Sequence, residues 1–439
     1  MRKRARSLLL FACLVTQAMS TASASPGQAG ALYVFEEARR LCERDDGALW
    51  GRSLCGPIMI VDPVDRGMVA NQQDRGGVLQ ASDGAFVGQL PPEVMLANTR
   101  VEWSGTEWTQ LVWPVPLEPG VLRVFLVHEM FHRIQRDLGL ARNEAGNRHL
   151  DMREGRYLLQ LEWRALAQAL MADDEGARRD RIADALAFRH ERRRLFHEAA
   201  ADESALEVNE GIPEYTGVRL GLAHDGQRRA YAVYALARFL DAPSFVRSFA
   251  YASGPAYGLL LDQADPGWHR RLDADADLGA LLARAHGIGP PDPAGHAARV
   301  QRYDRDGSLG RAEDAREQAR AARVAAWRAT LVDGPRLVLP LARTSYQFNP
   351  QTLATLDGIG TVYPSLRLTD AWGELVVVEG GAALVHADRK RAAVALPANR
   401  APLAGEVVAG EGWTLTLAPG WTLVAGEREG DMTLAPGPH

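Results

Sequence analysis

His128-Glu129-Met130-Phe131-His132 lies within residues 121–138, a stretch apolar nearly all round. A segment with no polar face has to be covered on every side, so this one is predicted to be a buried helix. On a helix, positions four apart share a face, and both imidazoles can reach one point with Glu129 beside them. Two histidines and a glutamate are costly in a dry interior unless something binds them. Two imidazoles at this spacing suit a metal ion, and a neighbouring carboxylate suits a base acting on a water there.

A zinc site needs a third protein ligand. The extended pattern H-E-x-x-H-x-x-G-x-x-H is not met, because Gln135 and Leu138 stand at its glycine and third-histidine positions. The third ligand is therefore expected to be a carboxylate from a later helix. Asn209-Glu210-Gly211-Ile212-Pro213-Glu214-Tyr215 is the best candidate, and Glu162 in Leu161-Glu162-Trp163 is its rival.

The chain around this motif has 439 residues, 46% apolar and 24% charged. Such a composition predicts two to three globular domains and excludes a disordered, collagen-like or coiled-coil chain. The net charge of −5 provides no general attraction to nucleic acid or to anionic lipid. Arg2, Lys3, Arg4 and Arg6 precede an apolar run at 7–19 and the small-residue pattern Ala22-Ser23-Ala24. Residues 1–24 therefore read as a cleavable signal peptide, too short to span a bilayer. A secreted or periplasmic protein is expected, without integral membrane association. Cys13 leaves with the signal. Cys42 and Cys55 are expected to pair in an oxidising compartment, and a loop of that size contributes about 3 kcal/mol.

Periodicity divides the rest into an α+β protein. Residues 25–118 form an N-terminal α/β part: a helix at 31–43, the buried-strand run Pro57-Ile58-Met59-Ile60-Val61, and strands with a turn at Ser104-Gly105. Residues 119–333 are mainly helical, with segments at 153–172, 174–197, 201–221, 228–240, 274–286 and 312–331. The Gly/Pro stretch at 287–295 reads as a linker. Residues 336–439 alternate short strands with turn signals and form a small all-β module. Arg192-Arg193-Arg194 reads as a solvated helix face, and Asp304-Arg305-Asp306-Gly307 as a polar turn.

H-E-x-x-H followed by N-E-G-x-x-E-Y resembles the gluzincin metallopeptidases, the group of thermolysin-like proteases and zinc aminopeptidases. The resemblance implies Glu210 as the third zinc ligand and Glu214 as the acid that orients a ligating histidine. It also implies Tyr251, in Tyr251-Ala252-Ser253-Gly254, as the hydroxyl that stabilises the oxyanion, with Tyr257 second. Asn98 would sit on an edge strand and bind substrate backbone. The gap between His132 and Glu210 is longer than in well-known members, and residues 150–200 are expected to form a helical hairpin that folds away from the site. Pro213 also departs from the pattern and fits only near a helix start. The aminopeptidase G-x-M-x-N motif is missing. The expectation is a secreted Zn2+-dependent peptidase in which His128, His132 and Glu210 hold the metal and Glu129 is the general base. The alternatives are an inactive peptidase-like protein that binds a surface or partner through its β-module, and a zymogen whose cleft is covered.

Overall fold

The computed structural model describes residues 27–141, 146–348, 352–396 and 407–437. The signal peptide expected at 1–24 lies outside the described residues. The chain is about 47% helix and 21% strand, an α+β protein.

The N-terminal part begins with α1 (Gln28–Asp45), which ends where Asp46 adopts a left-handed conformation. Six strands follow: β1 (Ile58–Val61), β2 (Gly67–Ala70), β3 (Gln80–Ser82), β4 (Ala85–Gln89), β5 (Thr99–Trp103) and β6 (Thr106–Val112). They form one sheet in the order β3-β4-β2-β1-β6-β5. β1 is buried along its whole length and runs parallel to β6. β5 is an edge strand joined to β6 through Ser104 and Gly105, both at positive φ as a two-residue hairpin turn requires. The Cys42–Cys55 disulfide ties α1 to the loop before β1.

α2 (Pro119–Gln135) starts with its helix signals in order: the Glu118 side chain accepts from the Val121 N–H at 2.6 Å, and Pro119 occupies the first turn. α3 (Arg153–Met171) and α4 (Glu175–Leu195) form a long hairpin. α5 (Ala199–Leu206), a single π-turn (Glu207–Gly211) and α6 (Ile212–Gly221) run on as one interrupted helix. α7 (Asp225–Arg238), α8 (Phe249–Ala264), α9 (Leu278–Ala285), α10 (His296–Tyr303) and α11 (Ser308–Arg328) complete the helical part. None of the described helices is long and apolar enough to cross a membrane.

One core joins α1, the inner face of the sheet and the helices through Leu309. The Gly/Pro stretch at 287–295 is therefore a loop inside this body rather than a linker: Leu282 before it, Ile288 within it and Val300, Tyr303 and Leu309 after it pack on the same core. Asp304 is a buried turn residue. Its carboxylate caps α11 by accepting from the N–H groups of Leu309 and Gly310.

Twelve described strands follow, from β7 (Arg336–Pro340) to β18 (Met432–Pro436), in sheets of seven and five. Leu337, Leu368, Trp372 and Leu415 lie in the core between them. Trp327 of α11 and Leu331 pack against Leu356, Val362 and Leu384, so the end of α11 is a buttress of the β-module.

Candidate metal centre

α2 and α6 approach closely because α6 carries glycine twice on the side facing α2. A Cβ on Gly217 would collide with the carbonyl oxygen of Val124, and one on Gly221 with the backbone of Arg123 and Val124. The helices run in opposite directions. One turn on from Val124 along α2 stands His128, and one turn back from Gly217 along α6 stands Glu214. His128 Nδ1 donates to Glu214 Oε2 at 2.8 Å. A carboxylate only accepts, so Nδ1 carries a proton and Nε2 is the nitrogen left to take either a second proton or a metal ion in its place. The other oxygen of Glu214 accepts from the Tyr231 hydroxyl of α7 at 3.1 Å.

His132 is oriented from its own helix. Pro213, in the first turn of α6, has no N–H to donate to the carbonyls of Val208 and Asn209 in the preceding turn. Gln135 supplies the missing donor, with Nε2 at 3.1 Å from the Val208 oxygen and 3.2 Å from that of Asn209. Its Oε1 therefore faces His132 Nδ1 at 2.9 Å and accepts from it. The second imidazole thus also turns Nε2 toward the common point, free to take a proton or a metal ion.

The two Nε2 atoms are 3.1 Å apart. Glu210, held in the π-turn, places Oε2 at 3.5 Å from His128 Nε2 and 3.6 Å from His132 Nε2. A tetrahedral ion with bonds of about 2.0–2.1 Å spaces its ligand atoms roughly 3.3 Å apart. These three side chains can hold a metal ion. Single π-turns occur often at functional sites, and here the turn carries the carboxylate of this group.

The electrostatics favour a positive charge at the same point. Burial works against a charged His128, but the carboxylates of Glu210 and Glu214 outweigh it and push the ring's pKa up to about 10. Burial would raise Glu210, yet hydrogen bonding to the two imidazoles holds its carboxyl well below the usual range. Glu129 behaves differently. Burial raises its pKa, and its Oε2 is enclosed without a hydrogen-bond partner among the described residues. An orphaned buried carboxylate oxygen beside two imidazoles is poised to take a proton.

α8 closes the site. Gly254 lies against the backbone of Gly211, where any Cβ would collide with the Gly211 carbonyl oxygen. That contact lets Tyr251, one turn earlier, stack on His128 with centroids 5.5 Å apart and donate to Glu210 Oε2 at 2.7 Å. An open cleft of about 210 Å³ reaches His128, Glu129 and Tyr251 and is lined further by Glu214, Phe125, Tyr234 and Arg238; His132 and Glu210 do not line it.

Other expected residues lie elsewhere. Glu162 is fully buried and engaged with Arg192 at 2.6 Å and the Tyr257 hydroxyl at 2.8 Å, so neither Glu162 nor Tyr257 joins the histidines. Arg192 is not solvated, as its arginine run suggested: it is 0% exposed and pairs with Glu162 and Glu203. The α3–α4 hairpin consequently does not fold away from the site. Arg189 of α4 grips Glu207, three residues before Glu210, with bonds of 2.7 and 2.5 Å. Asn98 precedes edge strand β5, is exposed, and accepts from the Val112 N–H at 2.7 Å.

Sequence reasoning missed Gln135 and Tyr231 as supports. Gln135 was visible only as a residue that breaks a longer motif. The signal that could have found it is Pro213, which removes one backbone donor from this turn. α8 was also missed as a helix, because Gly254, Pro255 and Gly258 mask its pattern.

No protein-family model, curated protein or solved structure matches this chain. The functional reading therefore rests on the site itself.

Proposed function

We propose that the chain is a zinc-dependent peptidase of the gluzincin kind, exported from the cell. The observation that carries this reading is the convergence of His128 Nε2, His132 Nε2 and Glu210 Oε2 beside the unpartnered carboxylate oxygen of Glu129, with a cleft that reaches His128 and Glu129. A metal site built only for structure needs no such base. The nitrogen and carboxylate donors suit zinc, and three protein ligands leave a position open. Bound there, zinc would supply Lewis acidity and lower the pKa of a water to about 7.

The chain's own residues do the rest. Glu129 takes the proton from the attacking water and returns it to the leaving amine. Tyr251 presents its hydroxyl to the oxyanion that develops on the scissile carbonyl. Glu214 and Gln135 keep both imidazoles in the tautomer that leaves Nε2 free. The basic-then-apolar start at 1–24 and the Cys42–Cys55 bond support export.

The test is zinc content measured together with degradation of an unstructured protein, for wild type and for Glu129→Gln. The variant should keep its metal and lose hydrolysis. Peptide cleavage that survives Glu129→Gln would overturn the proposal.

A further inference from the structure

α7 presents four residues to the cleft, Tyr231, Tyr234, Ala235 and Arg238. At spacings of three, four and seven they share one helix face. Tyr231 anchors that face to the centre through Glu214. Tyr234 is 60% exposed although it is a large aromatic. Arg238 is exposed, and its guanidinium makes no ion pair or hydrogen bond with the described residues; it lies 6.0 Å from the centre of the Phe239 ring and acts on the Tyr231 hydroxyl only through its charge. It differs in this from Arg228 on the same helix, which pairs with Asp225 at 2.8 Å. The carboxylates that line the cleft with it, Glu129 and Glu214, lie at the His128 end, where Glu214 is held by His128 and Tyr231.

We infer that Arg238 selects substrates carrying a carboxylate two or three residues from the scissile bond, with Tyr234 covering the chain in between. This deepens the peptidase reading and rests on it. The spacing follows from the helix. Seven residues separate Tyr231 from Arg238, about 10 Å along the axis. An extended peptide advances about 3.3 Å per residue, so it covers that distance in about three residues. A guanidinium with five free donors and no acceptor recognises a carboxylate with two parallel bonds, and a cleft mouth with an aromatic wall excludes competing water from them. The carboxylate has two possible sources, a peptide C-terminus or an acidic side chain.

The experiment uses quenched-fluorescence peptides. One arm compares a free C-terminal acid with its amide; the other compares glutamate with glutamine at each of four positions from the scissile bond. A carboxylate at the second or third position should raise kcat/KM about tenfold, chiefly through KM. The arm that responds identifies the source. Arg238→Gln should bring each acid-to-amide ratio to near one, and Arg238→Glu should favour lysine at the same position. Binding of the same peptides to zinc-loaded Glu129→Gln, read by fluorescence polarisation, should show the same preference without turnover. Equal rates and equal binding for acid and amide overturn the inference, as does a preference that survives Arg238→Gln. If no peptide is cleaved, the peptidase reading falls, and the binding arm alone decides the role of Arg238.

Discussion

Glu214 holds His128 from behind the metal centre: its Oε2 accepts from Nδ1 at 2.8 Å, while its Oε1 is fixed by Tyr231 at 3.1 Å. Glu214 thus sets both the proton on Nδ1 and the tilt of a ring that can hold a metal. Glu214→Gln leaves the packing intact but replaces the charged acceptor. Zinc affinity, followed by competition with a chromophoric chelator, is expected to fall about ten- to hundredfold. An unchanged affinity would mean that the ring is oriented by its helix alone.

Gln135 joins His132 to the turn that bears Glu210, and it is 4% exposed. Gln135→Leu deprives the buried carbonyl of Val208 and the half-buried one of Asn209 of their donor. Chemical denaturation of the metal-free protein should show a loss of about 1–3 kcal/mol. A purely metal-directed role would leave the metal-free stability unmoved, so this measurement separates bracing from ring orientation.

Gly254→Ala sets a methyl group against the carbonyl of Gly211. α8 has to shift away, at a cost of about 1–3 kcal/mol. Because Tyr251 lies on the same helix, turnover should drop further than Tyr251→Phe alone predicts, with the deficit in kcat. Retention of full stability would show that the two backbones can part freely.

Asp277 carries an acid-linked part of the stability. Burial would raise its pKa, but Arg189 and Arg193 pull it down to about 2. The folded pKa lies below the unfolded one, so the unfolded state binds the proton more readily and stability falls as the medium is acidified. The contribution is complete above about pH 5 and is lost progressively as pH drops toward 2, roughly 1–2 kcal/mol after solvent screening. Asp277→Asn should flatten that part of the curve of unfolding free energy against pH. A slope identical to wild type over this range would contradict the assignment.

The α+β class, the buried strand β1, the β5–β6 turn and the boundaries of α2, α3 and α4 within a few residues were legible in the sequence. They rest on local physics: apolar periodicity, caps such as Glu118 and Asp174, and turn residues tolerant of positive φ. His128, Glu129 and His132 were legible for the same reason, since a five-residue helical motif carries its own geometry. Other choices depended on what each group meets across the fold. Glu210 and Glu162 are both carboxylates on later helices. Only packing separates them, because Gly217 and Gly221 draw the first toward α2 while Arg192 holds the second in a buried ion network. Arg192 looked like a surface charge because its sequence neighbours are charged, yet its partners come from α3 and α5. A single chain position states which chemistry is available. The tertiary structure decides which partner it meets, because glycine contacts, an absent proline donor and buried counter-charges act between segments far apart in sequence.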